Sequence, residues 1–165
     1  MYQIGDIVIY SAHGICEIVD ISEMTILGKT RKYYVLHPIE NKQNLTINAP
    51  VDQSKDAIQE LIDQDEAYEI LESFKESGMD WQEQANVRYN TFQKIVQNGD
   101  RKEIAKVINT LMRKKIELAA NEKKLHQKDE KLLQQVQNIL WKELSIALGI
   151  SVKEIDKMID ERIKE

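Results

Sequence analysis

The apolar residues of this chain follow two different periods. In the first 51 residues they form short runs rich in β-branched and aromatic side chains, at 7–10, 15–21, 33–36 and 45–47. Runs of this kind are typical of strands, and the Gly, Asp and Asn residues between them can turn the chain. Four or five short strands within roughly 50 residues predict a small curled sheet.

From about Ala57 onward the apolar residues recur at helical spacing instead. The first helical stripe includes Ile58 and ends near Gly78. Four further stripes follow, and each is bounded by residues that start or stop helices. These signals are Asn98-Gly99 at the end of the second helix, Asp100 with Glu103 at the start of the third, Gly149 at the end of the fourth and Ser151 with Glu154 at the start of the fifth.

The pattern therefore predicts an α+β protein with two domains. A small Tudor- or SH3-like β-barrel would occupy residues 1–55, and an all-helical bundle of about five helices would occupy residues 56–165. A hydrophobic content of 42% supports a packed core. The single cysteine fits a reducing compartment, and we find neither a signal peptide nor an apolar stretch near the roughly 20 residues that span a bilayer. We expect a soluble cytoplasmic protein without a membrane partner.

Charge is distributed unevenly along the chain. Residues 84–128 carry 11 Lys or Arg against 4 Asp or Glu, a net charge of +7, although the whole chain has a net charge of −5. Residues 59–83 carry 9 Asp or Glu against one Lys, a net charge of −8. A local cluster of positive charge in an acidic protein favours an anionic partner such as DNA.

The residues capable of catalysis or metal binding are few and scattered. Ser11, His13 and Cys16 lie close together, but strand alternation would send Cys16 to the opposite side from the other two. His13, His37 and His126 are far apart, and one cysteine cannot form a zinc cluster. There is no glycine-rich phosphate-binding loop. We therefore expect a protein that is not an enzyme and that needs no cofactor or metal.

Two features of the basic stretch have alternative interpretations. Its lysines and arginines could form a solvated helix face or could contact phosphates. Trp81 could pack in the core, because it shares a predicted helical face with Ala85, Arg88 and Phe92, or it could be an exposed wedge for a DNA base step. Trp141 borders an apolar stripe and is expected to pack at the edge of the core.

Motifs along the whole chain carry a family resemblance. They are Ile4-Gly5-Asp6-Ile7-Val8-Ile9-Tyr10 with His13-Gly14, then Gly28 with Tyr33-Tyr34-Val35-Leu36, then Leu45-Thr46-Ile47 with Pro50-Val51, and in the second half Trp81, Arg88-Tyr89, Gly99-Asp100, Leu111 with Arg113-Lys114, and Ile139-Leu140 with Glu143-Leu144. In this order they resemble the CarD/CdnL-type bacterial transcription regulators. The first module also occurs in transcription-repair coupling factors, but this sequence contains no helicase motifs.

The resemblance implies a function in transcription. The N-terminal domain would dock on the β subunit of RNA polymerase, and the helical domain would meet promoter DNA near the upstream edge of the melted bubble. The protein would be a monomer when free and would join the nucleoid through the polymerase. The resemblance implies DNA contacts by Trp81, Arg88, Lys94, Arg101, Lys102, Lys123, Lys124 and Lys131, and polymerase contacts by Met24, Thr25 and Asn48.

Three departures from the family pattern leave alternatives open. Trp81 stands about four residues farther from Arg88 than is usual, which would correspond to one helical turn or roughly 6 Å. Met24, Thr25 and Asn48 stand where basic residues are common. The Leu-x-x-x-Glu-Lys-Lys element matches at 118–124 and again, less closely, at 125–131. A protein–protein adaptor without a DNA wedge is the alternative function, and a thiol enzyme that uses Cys16 is a third.

Overall fold

The computed structural model describes residues 1–10, 13–40, 44–54 and 57–165. They form two compact units, Met1–Leu61 and Ile62–Glu165. The sequence predicted a division between residues 55 and 56. The boundary in the structure lies six residues later, because the short strand Ile58–Glu60 belongs to the first unit.

The first unit is a five-stranded antiparallel sheet. Its strands are β1 (Ile7–Tyr10), β2 (Gly14–Ile26), β3 (Lys29–Pro38), β4 (Ile47–Pro50) and β5 (Ile58–Glu60), and a short 3-10 helix, Val51–Gln53, follows β4. The order across the sheet is β4-β3-β2-β1-β5. This confirms the predicted strand-rich module, but the sheet is open, since β4 and β5 do not pair with each other in the described residues. Edge strands of four and three residues offer few groups for closure.

The structure corrects the prediction that Ile58 begins a helical stripe. Ile58 lies in β5, pairs with Tyr10 of β1 and is buried in the core of the sheet. A short apolar run has no clear period of its own, so the free edge of β1 decides its conformation. The first helix begins six residues later.

The sheet buries one face and extends a long hairpin. Val8, Cys16, Ile18, Tyr34 and Leu36 belong to its core. β1 pairs only with residues 14–17 of β2, and β4 pairs only with residues 33–36 of β3. Residues 23–32 therefore form a two-stranded ribbon in the part of the chain that the structure describes.

The second unit contains five helices, as the sequence predicted. They are α1 (Gln64–Ser73), α2 (Ala85–Asn98), α3 (Arg101–Ala120), α4 (Gln127–Leu148) and α5 (Val152–Ile163). The predicted caps are confirmed: the Asp100 side chain accepts from the Lys102 and Glu103 amides, the Ser151 side chain accepts from the Glu154 amide, and Gly99 and Gly149 end their helices in the left-handed conformation. Within the described residues, no helix combines the length and apolarity needed to cross a membrane.

The apolar faces of the five helices meet in one core. Phe74, Ile108, Leu144 and Ile155 are fully buried there. Trp141 is 2% exposed, packs edge-on against Phe74, and its indole N–H donates to Asp156 at 3.0 Å. The predicted packing role of Trp141 is confirmed.

Candidate nucleic-acid interface and docking face

Trp81 lies in an irregular segment between α1 and α2. The chain turns at Gly78, where φ is +84°, and the Met79 amide then donates to the Thr110 hydroxyl of α3 at 2.8 Å. Since α2 begins only at Ala85, the prediction that Trp81 shares a face of that helix is wrong. The extra residues before Arg88 therefore do not lengthen α2 by a turn.

The Trp81 ring is half-buried against the helical core and is flanked by two cations. The Arg88 guanidinium carbon lies 4.2 Å from the ring centroid, and the Lys114 ammonium lies 5.2 Å from it. Both distances lie within the range of cation–π attraction. Trp81 is thus partly buried against the helical core and partly accessible at the protein surface, and its role as a wedge for DNA stays a prediction.

Arg88 is buried and all its nitrogens are engaged. The residue is 4% exposed, and its Nε lies 3.1 Å from each carboxylate oxygen of Asp129, to which Nη2 also donates. Nη1 donates to the carbonyl oxygens of Gln82 at 2.7 Å and Glu83 at 3.4 Å. In this conformation the guanidinium is not presented to a phosphate. Asp129 was not identified from the sequence, because it lies just beyond the basic stretch at 84–128 and 41 residues from Arg88.

Two other predicted DNA contacts also pair within the protein. Arg101 Nε lies 3.1 Å from Oε1 of Glu143, a carboxylate whose pKa is raised by burial against the opposing effect of Arg101. Lys102 Nζ lies 2.6 Å from Oε2 of Glu69, and this hydrogen bond raises the pKa of Lys102. The Lys102 pair is exposed to solvent, so it can exchange for a phosphate at small cost. The Arg101 pair uses a buried carboxylate and is harder to replace.

Three other candidate lysines converge on one groove. Lys123, Lys124 and Lys131 are exposed and have no partner among the described residues. With Lys115 they line a groove of about 670 Å³ where α3 turns into α4. Ala119, Leu125, Gln127, Glu130 and Gln134 complete its lining, and we call it the lysine groove. Both copies of the repeated Leu-x-x-x-Glu-Lys-Lys element contribute to it. Lys94 is exposed on α2 and does not line the groove.

Trp81 and the lysine groove involve consecutive residues of α3 and of α4. Lys114 reaches the Trp81 ring, while the adjacent Lys115 contacts Glu130 at 2.8 Å. Asp129, next to Glu130, holds Arg88 beneath the same ring. The aromatic side chain and the unpaired lysines thus lie at one end of the helical unit, where α3 meets α4.

The predicted polymerase contacts do not share one edge of the sheet. Asn48 lies on the edge strand β4 and pairs with Val35, whereas Met24 lies on β2 and pairs with Arg31. Strand alternation places these four residues on the face opposite to the core. Thr25 points to the other face, where its hydroxyl bonds that of Thr30 at 2.8 Å.

This arrangement defines a docking face of Met24, Arg31, Val35 and Asn48. Arg31, which was not predicted from the sequence, supplies a cation directly opposite Met24. Cross-strand register, which cannot be read from local sequence, would have been needed to find it. A partner strand that pairs with one edge of the sheet could not contact both Met24 on β2 and Asn48 on β4.

Cys16 and His13, the described residues among those considered for thiol chemistry, do not form an activating arrangement. Cys16 is 0% exposed, and burial raises the pKa of its thiol to about 11. His13 is exposed and stacks on Tyr10 with ring centroids 5.7 Å apart. Ser11 lies outside the described residues. The buried thiol agrees with a packing role for Cys16 and gives no nucleophile at neutral pH.

Comparison with known proteins gives a consistent family assignment. Residues 2–62 match the CarD-like/TRCF RID domain, which is an RNA polymerase-interacting domain, and residues 69–160 match the CarD C-terminal domain. A protein of Bacillus subtilis (strain 168), named "Putative transcription factor YdeB", is 29% identical over 156 residues, which cover 94% of this chain and 97% of that protein. The two matched domains correspond to the sheet unit and the helical unit, and the chain belongs to the CarD family of transcription regulators.

Proposed function

We propose that this regulator docks on the β subunit of RNA polymerase and contacts promoter DNA near the upstream edge of the bubble, where it modulates the stability of the open complex. It does so without catalysing a reaction. The observation that supports this most strongly is the position of half-buried Trp81 at the same end of the helical unit as the lysine groove.

The lysine groove is the proposed phosphate-binding surface. The ammonium groups of Lys123, Lys124 and Lys131 make no ion pair in the described structure, so a phosphate would not have to displace one. The carboxylate that lines the groove, Glu130, is paired with Lys115. Lys94 and Lys102 are exposed and are proposed as peripheral contacts. Phosphate contacts would fix the orientation of the protein without reading sequence, and the polymerase would provide promoter specificity.

Trp81 is the proposed contact with unstacked bases. An aromatic ring beside cations can stack on a base exposed at the edge of melted DNA, and Lys114 is near enough to screen the adjoining phosphates. A ring already held against the protein loses little freedom on binding. The upstream fork of a bubble offers unpaired bases next to duplex phosphates, which matches this pair of features.

The docking face is the proposed contact with polymerase. It combines the apolar side chains of Met24 and Val35 with the cation of Arg31, while the exposed carboxylate of Asp20 pairs with Val35 on the same face. An apolar surface with a carboxylate placed opposite Arg31 would complement it. Thr25 is proposed to support this face through the Thr25–Thr30 hydrogen bond rather than by direct contact.

A protein–protein adaptor without DNA contact is the second candidate. It is favoured by the intramolecular pairs of Arg88, Arg101 and Lys102, which reduce the positive charge available to DNA. An adaptor would bind polymerase and leave forked DNA unbound.

The salt dependence of binding to forked promoter DNA separates the two functions. Each lysine that contacts a phosphate adds about 0.9 to the slope of log affinity against log salt concentration. The triple variant K123Q/K124Q/K131Q should therefore lower the slope by roughly 2 to 3. A matched triple variant of the exposed lysines on α5 and at its C-cap, K153Q/K157Q/K164Q, should leave it unchanged. An equal slope for the wild type and the triple variant would exclude the lysine groove as the DNA contact.

Capture of the β subunit tests the docking face independently. Arg31→Glu reverses the only cation among the four residues that define this face and should reduce capture by about tenfold or more. Lys32→Glu, next to Arg31 in the same hairpin and on the opposite face, makes the same charge change and serves as the control. If both substitutions reduce capture equally, net charge rather than the docking face controls binding.

A further inference from the structure

We propose that the buried Arg88–Asp129 pair is a positioning device for Trp81, and that neither member contacts DNA. This inference rests on the proposed function, in which Trp81 meets the unstacked bases. It assigns Asp129, a residue of the first turn of α4, an indirect role in DNA recognition.

One arginine side chain joins three parts of the helical unit. Its backbone belongs to α2, two of its nitrogens hold the Asp129 carboxylate of α4, and Nη1 holds the carbonyl oxygens of Gln82 and Glu83. Those two carbonyls directly follow Trp81 in the chain. The irregular segment that carries the tryptophan is therefore fastened to α4 through Arg88.

The same guanidinium also supports the ring itself. Its central carbon lies 4.2 Å from the Trp81 ring centroid, which brings a planar group fixed by hydrogen bonds against a planar aromatic ring. Lys114 contacts the ring from α3, but its ammonium is 5.2 Å away and its side chain is partly exposed. Arg88 is thus the rigid support of the ring, and Asp129 fixes the orientation of Arg88.

A role in stability alone does not explain this arrangement. Two buried opposite charges can often be replaced by apolar side chains of similar size with little loss of stability, because desolvation offsets their attraction. Apolar replacements would preserve packing between α2 and α4. They could not hold the Gln82 and Glu83 carbonyls or offer a fixed planar face to Trp81. An apolar pair would therefore keep the packing of the two helices but would no longer position Trp81.

The experiment compares R88M/D129L with the wild type in a Trp141→Phe background, so that Trp81 is the only tryptophan. The apolar double substitution avoids an unpaired buried charge, which would strongly destabilise either single variant. Acrylamide quenching of Trp81 fluorescence is measured without DNA, and affinity for forked promoter DNA is measured separately. Arg162→Met removes an exposed pair between α5 and α1 and is the control.

We expect the double variant to unfold near the denaturant midpoint of the wild type. Its acrylamide quenching constant should be at least about twofold higher, and its affinity for forked DNA roughly three- to tenfold lower. Arg162→Met should alter neither quantity. Unchanged quenching in the double variant would overturn the positioning role, since Trp81 would then be held without the pair. A loss of folding is resolved by Arg88→Lys, which keeps the charge pair but lacks the planar group and should raise quenching by itself.

The two proposals can fail separately. If Trp81→Ala leaves fork affinity unchanged, the contact of Trp81 with DNA is excluded. The quenching measurement would still report whether Arg88 and Asp129 fix the ring. If quenching rises while fork affinity stays constant, the pair positions Trp81 but that positioning has no effect on DNA binding, which contradicts the inference as stated.

Discussion

Leu27 occupies a backbone conformation that leucine rarely adopts. It lies at the tip of the β2–β3 hairpin with φ at +53°, followed by Gly28 at +76°, and its side chain is 99% exposed. Two central residues with positive φ define a turn that prefers Asn-Gly, and the left-handed conformation costs a branched residue about 1–2 kcal/mol. Leu27→Asn should therefore stabilise the sheet unit by about 0.5–1 kcal/mol in urea unfolding.

Leu27→Ala is the matched control for this prediction. It removes the same exposed side chain but keeps an ordinary L-residue at positive φ, so the free energy of unfolding should stay close to that of the wild type. Equal unfolding free energies for the Asn and Ala variants would show that backbone strain at Leu27 is not significant.

Cys16 provides a prediction about reactivity and pH. Because burial raises the pKa of the thiol from 9.0 to about 11, the folded protein should not react with thiol reagents at pH 7 until it unfolds. The folded state holds this proton more tightly than the unfolded state, so the contribution of Cys16 to stability is constant below pH 9 and declines as the pH rises toward 11. Labelling in native buffer at the rate of the denatured protein would contradict the buried thiol.

Single residues also show where the sequence was informative. The packing of Cys16 and Trp141 could be predicted because each borders an apolar run. The environment of Arg88 could not be predicted, because its partner Asp129 is 41 residues away and only the tertiary fold brings them together. The local charge of residues 84–128 predicted a basic region, but it could not predict which lysines and arginines form ion pairs in the folded protein.

At the level of elements, the segment between α1 and α2 depends on a close contact at Gly78. A Cβ at this position would lie 2.8 Å from the Thr110 hydroxyl, the group that accepts from the Met79 amide, and φ is +84°. Gly78→Ala should destabilise the helical unit by about 1–3 kcal/mol through backbone strain and this clash. The measurement is urea unfolding followed by helical circular dichroism.

Gly149→Ala separates strain from the clash. Gly149 also has a positive φ, +67°, but nothing lies within 4 Å of its Cβ position. Gly149→Ala should therefore lower the free energy of unfolding by only about 1 kcal/mol, the cost of the left-handed backbone conformation. If the two variants lose the same stability, the contact between Gly78 and Thr110 contributes nothing, and the path of the chain toward Trp81 is not fixed there.

The boundaries of the helices could be predicted more fully than the irregular segments. Capping residues such as Asp100, Ser151 and Gly149 act within a few residues, so their effect is visible in the sequence. Trp81 was assigned to a helical face because its spacing to Phe92 suits a helix. In the structure, side-chain hydrogen bonds from Arg88 to the backbone of residues 82 and 83 accompany an irregular conformation there.

At the scale of the whole molecule, each of the two units carries one of the proposed binding functions. The sheet unit carries the docking face, and the helical unit carries Trp81 and the lysine groove. The change in apolar period identified both units from the sequence. It did not reveal β5, because a three-residue strand depends on the free edge of β1 rather than on its own composition.

The lifetime of the open promoter complex tests most directly the proposal that this chain joins polymerase to melted DNA. The complex is formed with purified polymerase and challenged with heparin, with and without the protein, and with Trp81→Ala and Arg31→Glu. We expect the wild type to change the lifetime, Trp81→Ala to bind polymerase without this effect, and Arg31→Glu to lose both binding and effect. A lifetime that the wild type leaves unchanged, or that Trp81→Ala changes to the same extent, would contradict the proposal.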